Sequence, residues 1–194
     1  MTAPSLLADI GGTNTRVALA RGGQVIHGSV RHYPNAEFDA LEPVLHRYIA
    51  ETGTETPAAA CLAMAGPVRE GVGALTNLDW TLDAATLAHA TGAGTVTLLN
   101  DLQAQGHALG HLPSEALFPV IAGPPPRLQA TQLVIGIGTG FNAAPIFDTR
   151  AGRFVPPSES GHVALPVRSE SDIRLAEFLE KSHGFAAVED ALSG

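Results

Sequence analysis

Cysteine is nearly missing from this 194-residue sequence: Cys61 stands alone, so neither an intrachain disulfide nor a multi-cysteine zinc site can form. Its setting, the apolar run AAACLAMA, reads as a buried and inert thiol. Aromatic residues are only 5% and charged residues only 15% of the chain. Lys and Arg number 11 against 19 Asp and Glu, for a formal charge of −8, and no basic cluster offsets it. A nucleic-acid backbone or an anionic lipid surface is thereby disfavoured as a partner, since either would be repelled at long range. No run approaches the roughly 20 apolar residues of a membrane helix, and the start, MTAPSLLADI, lacks a basic segment followed by a long apolar one. Both absences point to the cytoplasm. What is plentiful is apolar residues, 45%, together with 21 Gly and 14 Pro, the composition of a loop-rich folded chain.

Local patterns predict an opening meander. Leu6 to Ile10 reads as a buried strand, Gly11 and Gly12 as a turn, Arg16 to Ala20 as a second strand and Gln24 to Val30 as a third. Asp39 is placed to cap a helix that carries Leu41, Val44, Leu45, Tyr48 and Ile49 on one face. A strand at Ala58 to Ala65 follows, then a helix opened at Asp83 or its neighbour and closed at Gly92, then a strand at Thr95 to Leu99 that ends on Asn100 and Asp101. The run GPPPRLQ marks 112–132 as a crossover, because consecutive prolines fit neither a helix interior nor a central strand. Leu133 to Ile137, a glycine turn, Ala143 to Phe147 and a strand near Phe154 repeat the opening plan. Ser171 to Lys181 predicts a helix with Ile173, Leu175, Ala176, Phe178 and Leu179 inward, followed by a short helix at Ala186 to Leu192.

Two glycine turns carry the chemistry. In Asp9-Ile-Gly-Gly-Thr-Asn-Thr-Arg16 a carboxylate ends a strand, and backbone N–H groups of Gly11, Gly12, Thr13 and Asn14 are free to approach phosphate oxygens. Asp9 can then hold Mg²⁺, directly or through water. The second turn, Gly136-Ile-Gly-Thr-Gly-Phe-Asn142, offers the same cradle at Gly138, Thr139 and Gly140. Its spacing is not a dinucleotide fingerprint, which excludes a Rossmann dehydrogenase. Two such turns opening successive domains point to a nucleotide held in a cleft.

The blocks DIGGTNTR, AGPVREGVGALTNLDW, LLNDLQAQG, GIGTGFNAA, SESGHVALP and ALSG span nearly the whole chain, and through them the sequence resembles the bacterial glucokinases of the hexokinase, Hsp70 and actin superfamily. The resemblance implies an α/β, actin-like ATPase (ribonuclease H-like) fold, with a first domain at 1–111, the crossover at 112–132 and an incomplete second domain at 133–194. It implies ATP and Mg²⁺, and glucose phosphorylated at its 6-hydroxyl with Asp101 as general base. It further implies a sugar site at Asn77, Asn100, Asp101, Glu159, His162 and Glu189, with Trp80 beside it. Convergent carboxylate, amide and imidazole groups suit a hexose, each fixing one or two hydroxyls. Taken singly, these residues have plainer roles: Asp101 as a helix cap, His162 as a structural imidazole, Glu189 as a solvated charge.

Three departures from the family pattern stand out. Asn142 occupies a usual glycine, which is expected to put a side chain where backbone should approach phosphate and to rely on the tolerance of Asn for φ > 0. Ser160 occupies another. The family also continues past the Ser-Gly of ALSG, so the expectation is a fragment, or a core closed by another copy or protein. The alternative function is a non-catalytic sugar-binding or interaction protein. A sugar-responsive repressor is disfavoured by the lack of a helix-turn-helix with a basic face.

Overall fold

The computed structural model describes residues 3–75, 78–124, 127, 129–138 and 140–193, which fall in two compact units, 1–101 and 102–194. In the first unit, alternation of buried Leu6, Ala8 and Ile10 with more accessible Ser5, Leu7 and Asp9 makes Ser5–Ile10 a strand with one sealed face (β1). β1 pairs antiparallel with Asn14–Arg21 (β2), whose far edge carries Gln24–Val25 (β3) and Arg31–Pro34 (β4). On its other side β1 runs parallel to Ala59–Met64 (β5), and beyond β5 lies Thr95–Asn100 (β9), also parallel, giving the order β3-β2-β1-β5-β9. Val68–Arg69 (β6), Val72–Ala74 (β7) and Thr81–Asp83 (β8) form a small antiparallel sheet in the same unit.

Helix Leu41–Thr52 (α1) buries Leu41, Val44, Leu45 and Tyr48, the i, i+3, i+4, i+7 stripe of an amphipathic helix. All four are fully buried in a core with Leu6, Ile10, Leu62 and Met64, and each large aliphatic side chain there contributes about 1.5–3 kcal/mol. Helix Ala84–Thr91 (α2) adds Leu87. Asp83 caps α2 as expected, its Oδ1 accepting from the Thr86 amide at 2.8 Å, and Gly92 at φ 70° ends it. Trp80 is buried in the same core. Cys61 is half-buried rather than buried, and desolvation pushes its thiol pKa up, in keeping with an inert group.

Two local expectations are corrected. The helix cap at α1 is Ala40, with no side-chain hydrogen bond, not Asp39. The strand expected over 24–30 stops at Val25, because Gly28 turns left-handed at φ 76° and the Ser29 hydroxyl takes the Leu19 amide at 3.1 Å that a continuing strand would have used.

In the second unit, Gln132–Ile137 (β10), Phe141–Thr149 (β11) and Gly152–Phe154 (β12) form an antiparallel meander. Helix Asp101–Ala108 (α3), which starts on the last residue of the first unit, supplies Leu102 to a core with Val134, Ala144, Ile146 and Val155. Gly106 permits this packing, since a Cβ there would stand 2.9 Å from a Val155 methyl. The opposite face of β10 presents Leu133, Ile135 and Ile137 to solvent. Glu170–His183 (α4) opens on a reciprocal capping box between Ser169 and Asp172 and closes at Gly184. Its predicted inward face is present as a periodicity but not as a core: of its members only Leu179 is buried, and Phe178 is 64% exposed. The last helix is Val188–Leu192 (α5), shorter than expected because Ala186 and Ala187 pair with Leu165 and Ala164 instead. Pro125, Pro126 and Leu128 of the proline run lie outside the described residues. Among the described residues no helix is long and apolar enough to cross a membrane.

Candidate functional site

Parallel pairing of β1, β5 and β9 puts Ile10, Met64 and Asn100 in one register row, so three strands end together at the carboxyl edge of the sheet. Ligands of open α/β sheets characteristically bind outside that edge. Asp9 and the Gly11–Asn14 turn lie at the end of β1, and Asn100 and Asp101 lie at the end of β9. Asn100 is buried, 4% exposed, whereas Asp101 is exposed at the first turn of α3. Asp9 is exposed and lies 3.4 Å from Arg16.

The Gly11 amide donates to the Asn14 carbonyl at 3.0 Å and closes the turn. A Cβ on Gly11 would meet that oxygen at 3.3 Å. The residue that holds the turn escapes sequence reasoning altogether. Asn35, 1% exposed, donates its side-chain amide to the Gly11 carbonyl at 2.8 Å, accepts from the buried Thr15 hydroxyl at 2.8 Å, and donates its backbone N–H to the Thr13 carbonyl at 2.9 Å. The only signal in the sequence is a Pro-Asn pair at a turn, which does not say what the asparagine reaches.

In the second unit the other glycine turn joins β10 to β11, with the Gly138 amide donating to the Gly140 carbonyl at 2.9 Å. Glu189, on α5, anchors its exit: the Phe141 amide donates to Glu189 Oε2 at 2.7 Å. A Cβ on Gly140 would lie 2.6 Å from that oxygen, and one on Gly161 would collide with the Phe141 carbonyl. The other carboxylate oxygen of Glu189 lies 3.7 Å from His162 Nε2, too long for a hydrogen bond. Glu189 is therefore no freely solvated charge, and His162 stands beside it on the Ser160–His162 turn that Glu159 precedes.

Asn142 corrects the expectation attached to it. It lies in β11 opposite Gly136 and is not among the residues with positive φ. Its side chain is committed to the SESGH segment, with Nδ2 donating to the Ser158 carbonyl at 2.6 Å and Oδ1 accepting from the Ser160 amide at 2.8 Å. The structure thus brings Glu189, His162 and the second turn together in one unit, and sets Asp9, the first turn, Asn100 and Asp101 along one edge in the other. Asn77 and Thr139 lie outside the described residues. Among the described residues, no group of three or more His, Cys, Asp or Glu could hold a metal ion by itself.

A model of the family described as Glucokinase matches residues 6–194. The chain is similar to the glucokinase of Chromohalobacter salexigens, 31% identical over 194 residues that cover all of this chain and 60% of that protein. Among solved structures it resembles a glucokinase from an Antarctic psychrotroph, with a TM-score of 0.85 at 32% identity over 100% of this chain and 62% of that one. It also resembles the glucokinase of Balamuthia mandrillaris, solved in complex with glucose, with a TM-score of 0.73 at 25% identity over 99% of this chain and 60% of that one. The fold is α/β and of the sugar-kinase, actin-like ATPase class. The chain spans about three fifths of the length of the relatives it matches.

Proposed function

We propose that this chain, which belongs to the glucokinase family, carries residues of an ATP-dependent hexose kinase that phosphorylates glucose at its 6-hydroxyl. The observation that carries this reading is the register row Ile10, Met64, Asn100, which sets a glycine turn suited to phosphate and an Asn-Asp pair suited to a sugar on one sheet edge. Asp101, exposed at the start of α3, accepts the proton of the 6-hydroxyl, a contribution worth about 10²- to 10⁴-fold. Asn100, Glu159, His162 and Glu189 orient sugar hydroxyls, and Asn77 is assigned with them on the family resemblance alone.

Gly12, Thr13 and Asn14 of the first turn and Thr139 and Gly140 of the second hold phosphate oxygens of ATP through backbone amides, while Gly11 and Gly138, whose amides close their own turns, keep side chains out of the cradle. Gly138 supports this, since nothing lies within 4 Å of where its Cβ would be. Asp9 fits Mg²⁺ as an exposed hard oxygen donor at a strand end, and it would exchange its contact with Arg16 for the ion. When bound, Mg²⁺ supplies charge neutralisation on the phosphoryl oxygens. A cytoplasmic location follows from the same reading.

The non-catalytic alternative is not favoured. Of the two features behind it, the family's continuation past ALSG and Asn142 obstructing phosphate, the second falls away, since that side chain is turned onto Ser158 and Ser160. The test is a calorimetric titration of glucose into the folded chain, with Asp101→Ala beside it, and a coupled assay of phosphoryl transfer for Asp101→Asn. Saturable heat with wild type, lost in Asp101→Ala, and turnover reduced about 10²-fold or more in Asp101→Asn are expected. Unchanged turnover in Asp101→Asn removes the general-base role.

A further inference from the structure

We propose that Asn142 is the positioning residue of Glu159. Its single carboxamide grips the backbone on both sides of that residue: Nδ2 donates to the carbonyl of Ser158 at 2.6 Å and Oδ1 accepts from the amide of Ser160 at 2.8 Å. A side-chain amide used this way imitates a strand partner, offering one donor and one acceptor to consecutive peptide groups. Between them Glu159 takes φ −126° and ψ 52°, neither extended nor helical.

A second tie lies alongside. The Ser158 hydroxyl donates to the Ala143 carbonyl at 2.5 Å. The Ser160 hydroxyl is 2.8 Å from the Ser158 oxygen and 3.0 Å from the same carbonyl, so its one proton goes to either. The Ser158–Ser160 segment is thereby fastened to the start of β11 at Asn142 and Ala143, the two residues that follow the Phe141 whose amide Glu189 holds. Glu159 and Glu189 are thus referred to one three-residue stretch of β11, Phe141 to Ala143. A glycine at 142, as the family resemblance would place there, has no group with which to make this grip.

The claim that this orientation matters to sugar rests on the function proposed above, whereas the grip itself does not. Two measurements separate them. Amide hydrogen exchange on the intact chain reads the grip: in Asn142→Ala the Ser160 amide should exchange about tenfold faster or more while amides of α4 keep their rates. An unchanged Ser160 amide overturns the proposal whether or not sugar binds.

Glucose titration reads the consequence. Asn142→Ala should weaken glucose about tenfold, since small misplacements of a binding group are costly. In a Glu159→Ala background the same substitution should change affinity by less than roughly twofold, because its route of action has been removed. Ser169→Ala, which loosens the cap of α4, is the stability control and should leave affinity unchanged. A tenfold loss that persists without Glu159, or an Asn142→Ala affinity equal to wild type, overturns the positioning role. Absence of glucose heat from the wild-type chain instead refutes the sugar reading, and the exchange result alone then decides the grip.

Discussion

Asn35→Ala isolates the device that shapes the first glycine turn. The substitution removes the acceptor of the Thr15 hydroxyl and the donor to the Gly11 carbonyl, and leaves the backbone bond from residue 35 to Thr13 in place. Thr15 is 0% exposed, so its hydroxyl cannot turn to water, and an orphaned buried group costs about 1–3 kcal/mol. Gly11 is half-buried, so its carbonyl recovers part of its loss by hydration. The expected destabilisation is about 2–3 kcal/mol, or a fall of about 10–20 °C in the melting temperature of a unit this size. Trp80, the only tryptophan, is buried in the same unit's core, so its fluorescence during urea unfolding reports this unit. Thr15→Val, which deletes the hydroxyl at near-constant shape, completes a double-mutant cycle. Coupling of about 1 kcal/mol is expected between the two sites. Additive effects, or an Asn35→Ala loss below about 0.5 kcal/mol, would refute the claim that these bonds hold the turn.

The remaining predictions concern the second unit and the acid range. Gly161→Ala forces a methyl onto the Phe141 carbonyl and toward Glu189, and should displace the Ser160–His162 turn; a crystal structure with that turn unmoved contradicts the packing argument. Asp148 is held below the usual aspartate range chiefly by its hydrogen bond from Arg153, Asp172 by the Arg168 amide, and Asp83 by the Thr86 amide. For groups whose folded pKa is depressed, the stabilisation is present above the unfolded value of roughly 4 and is lost as pH falls through the folded one. Melting temperature should therefore be flat through neutral pH and drop below about pH 4. Asp148→Asn should shallow that drop, and an equally steep acid limb in the variant counts against Arg153 as its cause.

What could be read from sequence was whatever depends on neighbours along the chain. Alternation marked β1, the i, i+3, i+4, i+7 stripe marked α1, Asp83 and Gly92 bracketed α2, and glycine spacing marked both turns, because each signal is written within one element's own repeat. Family blocks added the names of candidate residues without their geometry. The stripe of α4 shows the limit: Ile173, Leu175 and Phe178 satisfy the period yet stand exposed, since periodicity tells which residues share a face and not whether anything covers it. Asn35 and Asn142 show the same limit from the other side. Asn35 acts on Gly11 and Thr15, 24 and 20 residues away, and Asn142 on Ser158 and Ser160, 16 and 18 away. Only tertiary structure brings such partners together, because a side-chain hydrogen bond is directional and short, and no local pattern records where the chain will return.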